Sequence, residues 1–228
     1  MIRTEFDAVL FDLDGTLVDS APDLLGALDA VLARRGLPLS DHARLRHYAS
    51  RGAAGILAAG LPASAAADSD AIRSEFLDYY ADNLWRASQP FAGIETLLDW
   101  LGSRPMRLGV VTNKISRFAV PLLDQAGWNE RFGSVVTGDR VERPKPAAEP
   151  VLQCCRELGV MPGRALFVGD DVRDVQSGRK AGTATAVAAW GYLDPDADIH
   201  DWGANEIIES PAALQQWLCK DRADRRES

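Results

Sequence analysis

Val9-Leu10-Phe11-Asp12-Leu13-Asp14-Gly15-Thr16-Leu17-Val18-Asp19-Ser20 is the stretch from which the fold is read. The apolar run from Phe6 to Phe11 reads as a strand buried on both faces, the kind found in a parallel sheet. It breaks off into two carboxylates, a glycine and a hydroxyl. Ligands of open α/β sheets bind just beyond the carboxyl ends of the strands. Asp12 and Asp14 lie close enough to repel each other unless a positive charge sits nearby, and hard oxygen donors of this kind suit magnesium. Ordinary turn chemistry would account for Asp14-Gly15 taken alone. The segments downstream weigh against that reading.

The chain has 228 residues, enough for one large domain or for a domain with an inserted lobe. Hydrophobic residues make up 46%, so a packed core is expected. A formal net charge of -8 argues against nucleic acid or an anionic membrane as partner. An anionic substrate would therefore need local positive charge. Cys154, Cys155 and Cys219 are odd in number and two are adjacent, which does not read as a secreted disulfide framework. Cys154 and Cys155 are expected to pack rather than to act as a redox pair. His42, His47 and His200 with no CxxC spacing make a zinc site improbable. No signal peptide and no membrane-spanning run is read, so the expected home is the cytoplasm.

From about Ala21 to Trp85 the sequence is alanine-rich and helical in period. Leu24, Leu25, Leu28, Val31 and Leu32 make one apolar stripe, predicting a helix over Asp23 to Arg35. Ser40 or Asp41 would cap a second helix reaching about Tyr48, Gly52 to Ala59 reads as a short third helix or a turn into one, and Asp68 or Ser69 would cap a fourth ending near Leu84. After Pro90 strands and helices alternate. Strands are predicted at 108–112, 134–137, 165–168 and 185–189, and helices at 94–101, 116–126, 146–158, 172–181 and 211–218. Alternation of this length implies a parallel sheet with crossover helices. The Arg/Asp-rich end after Lys220 reads as a frayed terminus. The fold class is thus α/β, a Rossmann-like parallel sheet core over 1–18 plus 88–228, with an all-helical cap domain inserted at 19–87.

Strand ends carry the candidate chemistry. Thr112-Asn113-Lys114 offers a hydroxyl and an amide before a helix N-terminus, able to hold a phosphate or simply to cap the helix. Lys145 stands between Pro144 and Pro146, which restrict the backbone on both sides. Gly169-Asp170-Asp171-Val172-Arg173-Asp174 places three acids at a helix start, more than capping requires.

Together these four segments resemble the motifs of the haloacid dehalogenase superfamily, in its phosphoglycolate phosphatase-like branch, over nearly the whole chain. The resemblance implies a Mg²⁺-dependent phosphomonoesterase with Asp12 as nucleophile and Asp14 as general acid and base. It implies that Thr112 and Lys145 hold the transferring phosphoryl group, with Thr16 and Asn113 at the substrate. Asp12, Asp170 and the backbone carbonyl of Asp14 would ligate the metal, while Asp171 or Asp174 orients the ligands from behind. Asp14 favours phosphate-ester chemistry over dehalogenation, although a phosphomutase would keep it too. A metal- and phosphate-binding module without turnover is the alternative outside enzymes.

The inserted helices resemble the cap of that branch, and Ala49 to Leu57 resembles its specificity loop. Arg51 is a candidate reader of a substrate carboxylate, with Gly52 freeing the loop to approach; alternatively Arg51 is a solvated loop residue. The implied partner is a small phosphorylated metabolite of the 2-phosphoglycolate or N-acetylmuramic acid 6-phosphate type, bound by a monomer or homodimer. Ala148 stands where family members often show a further proline.

Overall fold

The computed structural model describes residues 6–223. Strand β1 (Ala8–Phe11) leads through a loop into β2 (Val18–Asp19). Then come α1 (Ala21–Arg34), α2 (His42–Leu45), a 3-10 turn at Arg46–Arg51, α3 (Gly52–Gly60) and α4 (Ser69–Asp82). Strand β3 (Gln89–Pro90) returns the chain antiparallel to β2. The rest alternates: α5 (Ile94–Gly102), β4 (Arg107–Val111), α6 (Ser116–Gln125), β5 (Ser134–Val136), α7 (Glu149–Leu158), β6 (Ala165–Gly169), α8 (Val172–Ala181), β7 (Ala184–Ala188), β8 (Glu206–Ile208) and α9 (Pro211–Ala223).

The main sheet runs β5-β4-β1-β6-β7-β8 with every neighbouring pair parallel. Phe11 is in register with Val110 on one side and Val168 on the other. The residues following these strands therefore emerge side by side, at the place where an open α/β sheet binds its ligand.

Side chains alternate across β1 with period two. Val9 and Phe11 join a core with Leu97, Leu98 and Leu214 from α5 and α9. Ala8 and Leu10 face Val151, Cys154 and Leu158 of α7 on the other side. Both faces are covered, as a parallel sheet requires. The helical lobe has its own core, built on the Leu24, Leu28 and Leu32 stripe with Ile56, Phe76 and Tyr80, and it takes in Phe118 and Tyr192 from the sheet portion. Burying each such large side chain stabilises by roughly 1.5–3 kcal/mol.

Some expectations need correction. The second helix is one turn long: Asp41 caps it by accepting from Arg44 N, and the chain then tightens into the 3-10 turn instead of reaching Tyr48. Ser40 donates its hydroxyl to Asp29 rather than capping. Asp68 holds the cap position of α4 without a side-chain hydrogen bond, and α4 ends at Asp82. The helix expected from Pro146 begins at Glu149, because Ala147 N closes a turn onto Pro144 O. Strands β2, β3 and β8 were not anticipated; each has two or three residues, too few to show a period. Helix α9 continues past Lys220 to Ala223, and the remainder of the expected frayed end, residues 224–228, lies outside the described residues. Among the described residues no helix is long and apolar enough to cross a membrane.

Candidate active site

Asp12 follows β1, Thr112 follows β4, Asp170 follows β6, and Asp174 lies in the first turn of α8. All four are buried. Carboxylate oxygens of Asp12, Asp170 and Asp174 lie within 4.8 Å of one another. Lys145 Nζ reaches Asp12 Oδ1 at 2.8 Å and Asp174 Oδ1 at 2.7 Å, and it donates to Val111 O at 3.0 Å. Burial works against the charge on Lys145, but Asp12 and then Asp174 more than offset it, so its pKa stands above the ordinary lysine value. Burial is also the main cause that lifts Asp170 to about 7, with the Asp12 charge adding to it. Asp174 is pushed well up by burial despite Lys145 beside it. One lysine therefore does not balance three acids. Asp12 Oδ1 and Asp174 Oδ1 are buried and accept no hydrogen bond of good geometry, although Lys145 is at ion-pair distance. An all-oxygen set with unsatisfied buried acceptors fits a hard divalent cation such as Mg²⁺.

The surroundings fix these acids tightly. Asp170 accepts from Thr16 Oγ1 (2.9 Å), Ser50 Oγ (2.6 Å) and Tyr192 N (2.9 Å). It is wedged between two glycines. A Cβ on Gly15 would fall 2.0 Å from Asp170 Oδ2, and one on Gly191 would fall 2.3 Å from Asp170 Cβ. Gly15 also has φ +87, a backbone that L side chains avoid. Asp171 and Asp174 form a reciprocal capping box at the start of α8, the arrangement that satisfies two otherwise orphaned N–H groups. Burial would raise the Asp171 pKa, but Arg173 bonding its carboxylate through Nε and Nη2 holds it low.

Lys145 is placed by Asn113. The amide donates Nδ2 to Lys145 O and accepts from Lys145 N, each at 2.9 Å. Asn113, predicted to touch substrate, lines the cavity described below while its amide engages the lysine loop. Thr16 does not line that cavity; it is fully buried and bonded to Asp170. Thr112 lines the cavity described below and accepts from Lys114 N at 3.1 Å.

The Asp14 carboxylate turns away from the acid cluster. It accepts from Lys114 Nζ at 3.0 and 3.1 Å and from Ser20 Oγ. Lys114 Nζ also donates to the Tyr80 hydroxyl of α4 at 2.9 Å. Burial lifts that phenol to about 12, so it bonds as a neutral hydroxyl. A second link between lobe and sheet runs through Arg173 Nη2, which donates to Ser50 O at 2.8 Å.

A cavity of about 220 Å³ lies between the lobe and the strand ends. Asp12, Asp14, Thr112 and Lys145 line its floor, and Arg51, Gly52, Ala53 and Ala54 belong to its roof. Asp170 and Thr16 do not line it. Arg51 is exposed and stacks over Tyr48, 5.5 Å from the ring centroid. His47 lies tilted against Tyr48, ring centroids 4.1 Å apart, and is not part of the lining. Sequence reasoning missed Ser50, Arg73, Tyr80, Arg173 and the pairing of Lys114 with Asp14. The spacing of Arg73, Leu77 and Tyr80 on α4 was a signal that could have found two of them, because i, i+4 and i+7 share a helix face.

A family model described as haloacid dehalogenase-like hydrolase matches residues 9–188. The chain is 43% identical over 224 residues to N-acetylmuramic acid 6-phosphate phosphatase of Pseudomonas aeruginosa, covering 98% of each. It is 40% identical over 207 residues to phosphoglycolate phosphatase of Xanthomonas campestris pv. campestris, covering 91% of this chain and 94% of the relative. Its fold is similar to a crystal structure described as a predicted phosphoglycolate phosphatase from Haemophilus somnus. That match has a TM-score of 0.82 and 26% identity, over 93% of this chain and 98% of the other.

Proposed function

The chain belongs to the haloacid dehalogenase-like hydrolases, and from that premise we propose a Mg²⁺-dependent phosphomonoesterase that works through an aspartyl-phosphate on a carboxylate-bearing phosphate ester. The observation that carries this reading is the buried cluster of Asp12, Asp170 and Asp174 around Lys145, on the floor of a cavity at the strand ends.

In the first step Asp12 attacks phosphorus and the bond to the leaving oxygen breaks, with Asp14 giving that oxygen its proton. In the second, Asp14 takes a proton from water as the water attacks the acyl phosphate, which frees inorganic phosphate and restores Asp12. Lys145 and the Thr112 hydroxyl steady the charge on the phosphoryl oxygens. Asp12, Asp170 and the carbonyl of Asp14 would hold the metal, with Asp174 close enough to serve either metal or lysine. When bound, Mg²⁺ supplies charge neutralisation and orients the ester. Asp171 fixes the start of α8 and engages Arg173, which touches the lobe.

The leading substrate reading is N-acetylmuramic acid 6-phosphate, supported by the 43% identity that runs through both sheet and lobe. Small lining residues at Gly52, Ala53 and Ala54 leave room beside the phosphate site. A second reading, 2-phosphoglycolate, is favoured by the cavity volume of about 220 Å³, below the roughly 300–1,000 Å³ typical of ligand pockets. Phosphate release measured as kcat/KM across both esters and other sugar phosphates decides between them. Asp12→Asn should lower kcat by more than about 1,000-fold, as loss of a nucleophile does, and EDTA should abolish turnover of p-nitrophenyl phosphate. Full activity in Asp12→Asn would rule out the covalent route. An isomerised phosphosugar in place of inorganic phosphate would indicate a mutase.

A further inference from the structure

The cavity is electrostatically two-ended. Its floor carries acids that already have partners: Asp12 and Asp174 with Lys145, Asp14 with Lys114, and Asp171 with Arg173. Its roof carries two further arginines, Arg51 from the 3-10 turn and Arg73 from α4. Among the described residues neither makes an ion pair with a carboxylate, and both are exposed. What sets these two apart from the other cavity-lining cations, Lys114, Lys145 and Arg173, is that each of those three is paired with an acid.

Helical spacing puts Arg73 on the face of α4 that borders the cavity. Arg73, Leu77 and Tyr80 recur at i, i+4 and i+7 and all line the cavity, while Ile72 and Phe76 point into the lobe's own core. The apolar side chains Leu24, Leu77 and Phe118 complete the cavity wall. A ligand matched to this cavity carries its phosphate at the floor and a second anionic group at the roof, separated by a neutral body.

We propose that Arg73, together with Arg51, forms a two-arginine subsite that binds the substrate's carboxylate, and that Arg73 determines specificity for such esters. A carboxylate offers two oxygens, and a planar guanidinium can meet both at once. Arg51 is partly pre-set by its stacking on Tyr48, which lies within the range of a cation–π contact. The proposal rests on the phosphatase reading and names the feature of the leaving group that the site reads.

The test compares two matched pairs: N-acetylmuramic acid 6-phosphate against N-acetylglucosamine 6-phosphate, and 2-phosphoglycolate against ethyl phosphate. Within each pair the partners differ chiefly in the carboxylate-bearing group. In Arg73→Ala the ratio of kcat/KM, carboxylate ester over its partner, should fall about ten- to a hundredfold for the pair that wild type prefers, mainly through KM. Arg73→Glu should lower the ratio further, by repulsion. Equal losses on both members of the pair, a wild type with no preference for the carboxylate, or a Glu variant no worse than the Ala variant would each overturn the proposal. A wild-type protein that releases phosphate from none of the four esters overturns the phosphatase reading instead.

Discussion

Asn113 lines the cavity and at the same time holds the loop of Lys145. Its amide makes two hydrogen bonds to the backbone of Lys145, and that lysine reaches the oxygens of two acids. Asn113→Ala should destabilise the protein by about 1–3 kcal/mol, the usual cost of lost buried hydrogen bonds. It should also lower kcat more than it raises KM, because Lys145 matters most where charge develops; thermal melting and steady-state kinetics check the two halves. A change confined to KM would mean that Asn113 meets substrate directly. Asp12, Asp14, Asp170 and Lys145 were legible as chemistry-bearing residues because each follows a strand or stands between prolines. The division of labour among their neighbours was not. Thr16, Asn113 and Ser50 are polar residues whose partners lie 154, 32 and 120 positions away, and no local pattern encodes a pairing of that length. The two cysteines of α7 did read correctly as packing residues: burial lifts Cys154 to about 12 and Cys155 to about 11, which leaves them as inert thiols.

At the scale of elements, the loops after β1 and β7 press on Asp170 from two sides. A methyl group at Gly191 would also meet Gly15 O at 2.4 Å, so one of these backbones would have to move. Gly191→Ala should therefore cost about 1–3 kcal/mol through overpacking. It should lower kcat by up to about a hundredfold through misplacement of the acid cluster. Retention of wild-type kcat would show that Asp170 tolerates displacement. The long elements were legible, since periodicity is strong in α1 and in the apolar strands β4 and β6. Where the chain settled into short or tight pieces the pattern failed. The 3-10 turn at Arg46–Arg51 packs three residues per turn and blurs the helical stripe, and β8 owes its pairing to β7 rather than to its own three residues. The start of α7 was misread because a favourable proline is present at both 146 and 150, and only the second sits in the first helical turn.

Over the whole molecule, three acids crowd one buried point with a single lysine between two of them. Folding therefore holds like charges together, and a divalent cation should relieve that cost. Mg²⁺ at about a hundred times its Kd should add ~2.7 kcal/mol of stability, a rise in melting midpoint of roughly 5–11 °C for a chain of this size. EDTA should reverse it, and Asp170→Asn should remove most of the increment; a midpoint indifferent to Mg²⁺ in the wild type would argue against a resident metal. The lobe meets the sheet portion through Tyr80 to Lys114, Ser50 to Asp170 and Ser50 to Arg173. It nevertheless departs from and rejoins that portion at one place, because β2 and β3 lie side by side, Val18 opposite Pro90 and Asp19 opposite Gln89. Two adjacent seams make the helical insert a transplantable part. A different insert could be spliced at the same ribbon with the sheet's connectivity unbroken, and the resulting chimera would keep the host's reagents while taking its appetite from the donor.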